Sequence, residues 1–318
     1  MTKIGLVLGG GGIAGFAYIT ATLTVLQQIT GWDPRHADVI VGTSAGANVG
    51  GFLRGNTSID KTLDEILALP TAPTSPDRLR VLEEREADRN VRLLPTSLSM
   101  AAREVVRGLN MSPSKVVSGL LPNGNIRTDM LGDRMIAMHG TAWPDDDLFI
   151  SSVRVQDGQR VVFGSDRSDI DVGTAVEASS AIPGYFTPVT IDGARYIDGG
   201  THSPTNADVL LDRDLDLIVV VAPMSVDNIA TGWMTVNGGL RLYWRSQVHR
   251  EVDALRAAGH DVLLLEPSIE VARAMGPTMM NLARVANVVL QTNAVAKVSM
   301  ADAEFAEELA ILRSAART

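Results

Sequence analysis

Along most of the chain, short apolar runs alternate with stretches in which apolar positions recur every three or four residues. Runs of that length suit strands, and the three-to-four spacing suits helices that bury one face. The runs predict strands at residues 4–8, 38–41, 148–155, 160–164, 188–191, 215–221 and 261–265. The longer spacing predicts helices at 13–28, 45–54, 97–108, 128–139 and 239–258, with another running from about 281 to the C-terminus. Strands and helices in alternation imply an α/β fold with a mostly parallel central sheet, since parallel neighbours need a crossover between them. Asp157-Gly158, set between two apolar alternations, predicts a tight hairpin. The pattern fails at 70–96, which is rich in proline and charge and reads as a cap or mobile loop, or as a solvated linker.

Composition narrows the picture without naming a function. The 318 residues, 45% hydrophobic and 20% charged, suit a single globular domain over 1–318. A net charge of −9 with no basic block gives no support for a nucleic-acid partner. The absence of cysteine removes disulfides, thiolate metal sites and cysteine catalysis. No run reaches the roughly 18 apolar residues of a membrane span, and glycines from Gly9 onward interrupt any signal-peptide core. The expectation is a cytoplasmic chain, peripheral where it meets membranes.

Candidate chemistry begins at Gly9-Gly10-Gly11-Gly12-Ile13-Ala14-Gly15, between the first strand and the first helix. Gly10, Gly12 and Gly15 fit G-x-G-x-x-G, which cradles a dinucleotide pyrophosphate. The same bare backbone at a helix N-terminus would equally serve the oxyanion of a reacting ester, because in both cases unobstructed N–H groups face negative charge. The second strand bears on this choice. It runs into Gly42-Thr43-Ser44-Ala45-Gly46 and then a small-residue helix, which is G-x-S-x-G in the strand–turn–helix setting of a nucleophile elbow. Such a turn strains the serine and admits only minimal side chains two positions either side, while the N–H of Ala45 points where an oxyanion would form. A dinucleotide fold would instead end its second strand near an acid for the ribose. Asp33 and Asp38 precede this strand's apolar run and fall at its wrong end. Were the first two strands parallel neighbours, the amides of Gly10, Gly11 and Gly12 would lie near Ser44.

A base for Ser44 is less evident. Asp198-Gly199-Gly200 follows a short alternation after Asp192-Gly193, and it reads either as a surface turn or as a buried acid with room for close approach. His36, His139, His202, His249 and His260 stand in no recognisable motif. The Met-bearing stretch 271–287 would pack in the core or wall an acyl pocket, and 240–259 would pack on the sheet or meet lipid as an amphipathic helix.

Taken together, the glycine run 10–15, the elbow 42–46, Asp198-Gly199-Gly200 and the preceding "ASSAIPGYFTPV" resemble the patatin-like phospholipase family, over about residues 3–211. The resemblance implies a three-layer α/β/α sandwich with Ser44 as nucleophile and Asp198 as proton acceptor, in a dyad without histidine. It further implies an oxyanion hole drawn from Gly10, Gly11, Gly12 and Ala45, with Gly15, Gly42, Gly46, Gly199 and Gly200 as motif glycines. A lipid or acyl-ester substrate is implied, with no metal or other cofactor. One departure is Ala14, where the family usually carries Arg or Lys. The competing expectations are a histidine-triad esterase using His202 or His260, a nucleotide-binding oxidoreductase, and a non-catalytic lipid-binding or regulatory member of the fold.

Overall fold

The computed structural model describes residues 2–68, 95–108, 111–227, 236–300 and 302–316. All but the last two residues of the 70–96 segment therefore lie outside the described residues. Contacts group the chain into two compact units. One comprises Met1–Leu69, Pro144–Leu148 and Ser203–Thr318, and the other Pro70–Trp143 and Phe149–His202.

In the first unit, β1 (Ile4–Leu8), β2 (Val39–Gly42), β7 (Leu217–Val221) and β8 (Asp261–Leu265) are all parallel, in the order β2-β1-β7-β8. Every residue of β1, β2 and β7 is buried, as expected of strands covered on both faces, and this is why they read as continuous apolar runs. Helices α1 (Gly12–Thr30), α2 (Ala45–Arg54) and α3 (Ile59–Leu67) follow the first two strands. Helix α1 is long and apolar enough to cross a membrane by length and composition, contrary to the expectation that no segment would qualify. It packs against α2 and α3, and two thirds of its apolar window (67%) is buried in the protein, as in a core helix.

The second unit is antiparallel. Strands β3 (Asp147–Arg154) and β4 (Arg160–Phe163) form the hairpin expected at Asp157-Gly158, and β5 (Val189–Ile191) and β6 (Ala194–Asp198) form another at Asp192-Gly193. There both turn residues have positive φ, 49° and 77°, as a two-residue turn matched to strand twist requires. Helix α4 (Leu98–Val106) contributes Met100 to a core with Val153, Val155 and Ile197. The unit also holds α5 (Pro113–Leu120), α6 (Asp129–His139) and α7 (Val172–Ser179). The fold is thus α/β with mixed strands flanked by helices.

The remaining helices are α8 (Val236–Ala257), α9 (Ile269–Met275), α10 (Val285–Ser299) and α11 (Ala306–Ala315). The single helix expected after 281 is therefore interrupted. Asp302 accepts the N–H of Glu304, and this local turn replaces the helical bond at the break. Helices α3, α5, α7 and α9 were not expected; three of them start at side-chain caps from Ser58, Asp171 and Ser268.

Helices α6 and α7 cross closely at Gly132, where a Cβ would come within 1.8 Å of Glu177 Oε1. Burial, with Asp129, Asp133 and Asp171 nearby and Arg127 partly offsetting them, pushes the Glu177 carboxyl up to about 7. The folded state then holds this proton more tightly than the unfolded chain. The stability it contributes is complete below about 4.5 and is lost as the pH rises through about 7. Glu177→Gln should flatten the fall in Tm across that window, and parallel Tm profiles for variant and wild type would refute the assignment.

Candidate active site

Parallel pairing of β1 and β2 sets Leu8 opposite Gly42, so the loops after both strands leave the sheet at the same edge. Two backbone bonds tie them together, Thr43 N–H to Leu8 O at 3.0 Å and Gly46 N–H to Gly9 O at 3.2 Å. Ser44 stands between β2 and α2 with φ 54° and ψ −113°, is 4% exposed, and sits at the N-cap of α2. A non-glycine residue in such a conformation costs about 1–3 kcal/mol and persists only where its surroundings enforce it. Gly46 shows how they do so. A Cβ there would lie 1.9 Å from Leu8 O, so only glycine lets the first turn of α2 approach the end of β1.

The glycine loop lies beside the serine. A Cβ at Gly10 would be 3.5 Å from Ser44 Cβ, and Gly11 and Gly12 have φ of 154° and 55° as the loop enters α1. Gly10 N–H is already committed, donating to Pro204 O at 2.8 Å. This corrects the expected donor set, because an amide held by a protein carbonyl is not aimed at a substrate oxygen. Gly11, Gly12 and Ala45 remain as candidate donors. Gly15 closes the first turn by donating to Gly11 O at 2.7 Å.

The sequence did not disclose what braces this loop. Ala14, 1% exposed, donates its N–H to Met279 O at 2.9 Å, and Met279 and Met280 lie over Gly11 and Gly12. Pro223 lies 3.0–3.3 Å from where the Cβ atoms of Gly9, Gly11 and Gly15 would be. Behind Pro223, the Arg241 guanidinium donates to Pro223 O and Ser225 O, both at 2.9 Å, and meets Met275 Sδ at 3.1 Å. Burial pushes its pKa down to about 10, which leaves it a cation at neutral pH. Within the Met-bearing segment Met275 lies in the core, as the packing reading expected, and Met279 and Met280 lie on the glycine loop. Neither Arg241 nor Pro223 carried a motif that would have singled it out.

In the second unit, Asp198 ends β6 opposite Ser152 and is 6% exposed. The surface-turn reading of Asp198-Gly199-Gly200 therefore fails. Asp198 Oδ1 accepts Gly200 N–H at 2.7 Å, and its own N–H donates to Ala181 O at 3.0 Å. A Cβ on Gly199 would lie 2.3 Å from Ser151 O, so this glycine is needed for the chain to pass β3 closely. Small residues build the surroundings, with Ser152 Oγ donating to Ile197 O and Ser179 Oγ to Ser151 O, each at 2.7 Å.

Three of the histidines, His36, His249 and His260, belong to the first unit. His36 precedes β2, and His260 precedes β8 with its ring nitrogens 3.2 Å from Leu215 O and Leu211 O. Both are at the opposite ends of their strands from the edge that carries Ser44. His249 pairs with Glu266 beyond β8, three strand spacings, or about 14 Å, from β2. In the second unit, His202 N–H closes the turn after Asp198 by donating to Gly199 O at 2.9 Å. Asp38, once a candidate for a nucleotide ribose, accepts Ile4 N–H at 2.6 Å at the N-terminal edge, and Asp33 pairs with Arg35.

An α/β fold with a strained serine between strand and helix is the strand–turn–helix geometry of the G-x-S-x-G motif. The family model for patatin-like phospholipase matches residues 6–211, and the chain belongs to that family. A comparison with curated proteins finds none that matches. Similar solved structures include VipD from Legionella pneumophila, at 14% identity and TM-score 0.39, covering 94% of this chain and 67% of that one. They also include the type III effector ExoU of Pseudomonas aeruginosa, at 17% and 0.32, with coverages of 96% and 62%. A third is human GIVD cytosolic phospholipase A2 in complex with methyl gamma-linolenyl fluorophosphonate, at 12% and 0.40, with 99% and 60%. The chain thus spans 60–67% of the length of these three structures.

Gly46→Ala should lower Tm and perturb the elbow, because overpacking of this kind costs about 1–3 kcal/mol or more. Gly239→Ala, on α8 with nothing within 4 Å of the added Cβ, is the control and should be neutral or stabilising. Equal Tm values for the two variants would contradict the close approach of α2 to β1.

Proposed function

We propose that the protein is a serine lipid acyl hydrolase that cleaves carboxylic esters through an acyl-enzyme. The observation that carries this reading is the strained backbone of Ser44, φ 54°, at the junction of β2 and α2. In the proposed reaction Asp198 takes the Ser44 hydroxyl proton while Oγ attacks the ester carbonyl, and the N–H groups of Gly11, Gly12 and Ala45 hold the oxyanion. Collapse of the tetrahedral species breaks the ester C–O bond, and the proton leaves with the alcohol. Water then attacks the acyl-serine, passing its proton to Asp198; the acyl C–Oγ bond breaks, Asp198 returns the proton to Ser44 Oγ, and the acid is released. Family membership supports Asp198 as the base, as does its burial at the end of β6 with two glycines after it.

A lipid substrate is supported by the family and by the surface of α4 and α5. Leu98, Val105 and Val106 on one helix and Val117 and Leu120 on the other are 55–88% exposed. In this reading they are the residues that meet a lipid surface.

Steady-state hydrolysis of a soluble aryl ester tests the chemistry apart from lipid binding. Ser44→Ala should abolish turnover, and Asp198→Asn should lower kcat by at least about 100-fold, the scale of general-base loss. The double variant should be no worse than Ser44→Ala, since groups acting as a unit are not additive. His202→Ala should stay within a few-fold of wild type. Retained kcat in Asp198→Asn, with a folded but inactive His202→Ala, would replace the dyad with a histidine triad.

A further inference from the structure

The glycine loop and the elbow must keep a fixed separation if amides on one are to serve a serine on the other. In the first unit both are held by one short segment, 203–207. Pro204 O accepts Gly10 N–H at 2.8 Å. Two residues on, Asn206 Nδ2 donates to Thr43 Oγ1 at 3.0 Å, on the residue immediately before Ser44. Thr43 Oγ1 also points to Thr205 O at 3.4 Å. The segment thus grips the oxyanion loop with one carbonyl and the elbow with one amide.

Its own conformation is demanding. Asn206 is fully buried in a left-handed conformation, φ 52° and ψ 35°. Asn206 tolerates that region better than most residues, but the turn still needs fixed ends. On one side, Ser203 Oγ accepts the N–H groups of Thr205 and Asn206 at 3.2 and 3.1 Å. On the other stands Glu251 of α8. Its Oε2 accepts both Thr205 Oγ1 at 2.6 Å and Ala207 N–H at 2.9 Å, so a single carboxyl oxygen clasps the residues on either side of Asn206. Glu251 is partly buried, and desolvation, with Asp208 nearby, raises its pKa above the ordinary carboxylate range. Holding an acid where its charged form is disfavoured is a standing cost, and on the opposite side of the balance are the hydrogen bonds to this turn.

We infer that Glu251 is a positioning residue for the proposed acyl transfer: through Thr205 and Ala207 it sets the segment that spaces the glycine loop from Ser44. The inference rests on the reading of Ser44 as nucleophile for its catalytic consequence, but its structural part stands apart from that. The Thr205 and Ala207 bonds end on the same oxygen as acceptor, so the amide oxygen of glutamine can replace them, and its amide group can still meet the Ser203 hydroxyl that also bonds this carboxyl. Charge at this site is not what positions the turn.

The test compares Glu251→Ala, Glu251→Gln and Thr205→Val in the full chain. With the soluble aryl ester, Glu251→Ala should lower kcat by about 10-fold or more while KM stays within about twofold, as for a reacting group displaced by a fraction of an ångström. Glu251→Gln should restore kcat to within about threefold of wild type, and Thr205→Val, which removes the Thr205 bond and keeps that of Ala207, should fall between. Amide hydrogen exchange over residues 8–12 and 41–46 supplies a readout independent of turnover. It should quicken in Glu251→Ala and remain at the wild-type rate in Glu251→Gln. Should Glu251→Ala not fold, the ordering of Thr205→Val below Glu251→Gln in kcat, with faster exchange in Thr205→Val, carries the test. Unchanged exchange and kcat in folded Glu251→Ala or Thr205→Val would overturn the inference, as would a Glu251→Gln no better than Glu251→Ala. Absence of turnover in the wild type would instead strike the proposed function, and the exchange comparison would still decide the role of Glu251.

Discussion

The carbonyl of Leu8 is the point on which the candidate site depends. It ends β1, receives the N–H of Thr43, and lies where a side chain on Gly46 would have to be. Helix α2 can therefore start only by pressing glycine against that oxygen, and the chain between β2 and α2 must turn within two residues. Ser44 takes up the strain of that turn. Parallel register adds the second condition, because pairing Leu8 with Gly42 brings the glycine loop out beside the serine. A shift of register would separate them and turn the strands' side chains to opposite faces.

Around this contact the protein uses backbone more than side chains. Pro223 and the Met279–Met280 pair close on the glycine loop, and Pro204 takes one of its amides. Two charged residues of α8, Arg241 and Glu251, hold those bracing segments from behind. Both lie in surroundings that disfavour their charge, and both are bonded to backbone groups of the bracing segments. A buried carboxyl in the second unit, Asp198, is set by the same means: small residues, a close glycine, and one backbone N–H on its oxygen.

The sequence made the local parts legible. β1, β2 and α2 were readable because buried parallel strands are continuous apolar runs and because the elbow needs small residues at fixed offsets. The hairpins at Asp157-Gly158 and Asp192-Gly193 were marked by residues that tolerate positive φ. Helices α3, α5, α7 and α9 escaped; each has only 7–9 residues, which leaves little periodicity to read, although α4 was legible at nine. The burial of Asp198 could not be read from Asp-Gly-Gly, which has the same composition as an exposed turn. The commitment of Gly10 to Pro204 joins residues 194 positions apart, and Glu251 meets Thr205 across 46, so neither left a local signal.

The most direct test of Ser44 as nucleophile is reaction of the folded protein with an alkyl fluorophosphonate, followed by intact mass and peptide mapping. The hydroxyl that displaces fluoride keeps the phosphonyl group, so the adduct reports the residue itself rather than a property of the mixture. The account predicts one adduct per chain, on the peptide that contains Ser44, and none in Ser44→Ala. An adduct on another residue, or none on a folded wild-type chain, would contradict it.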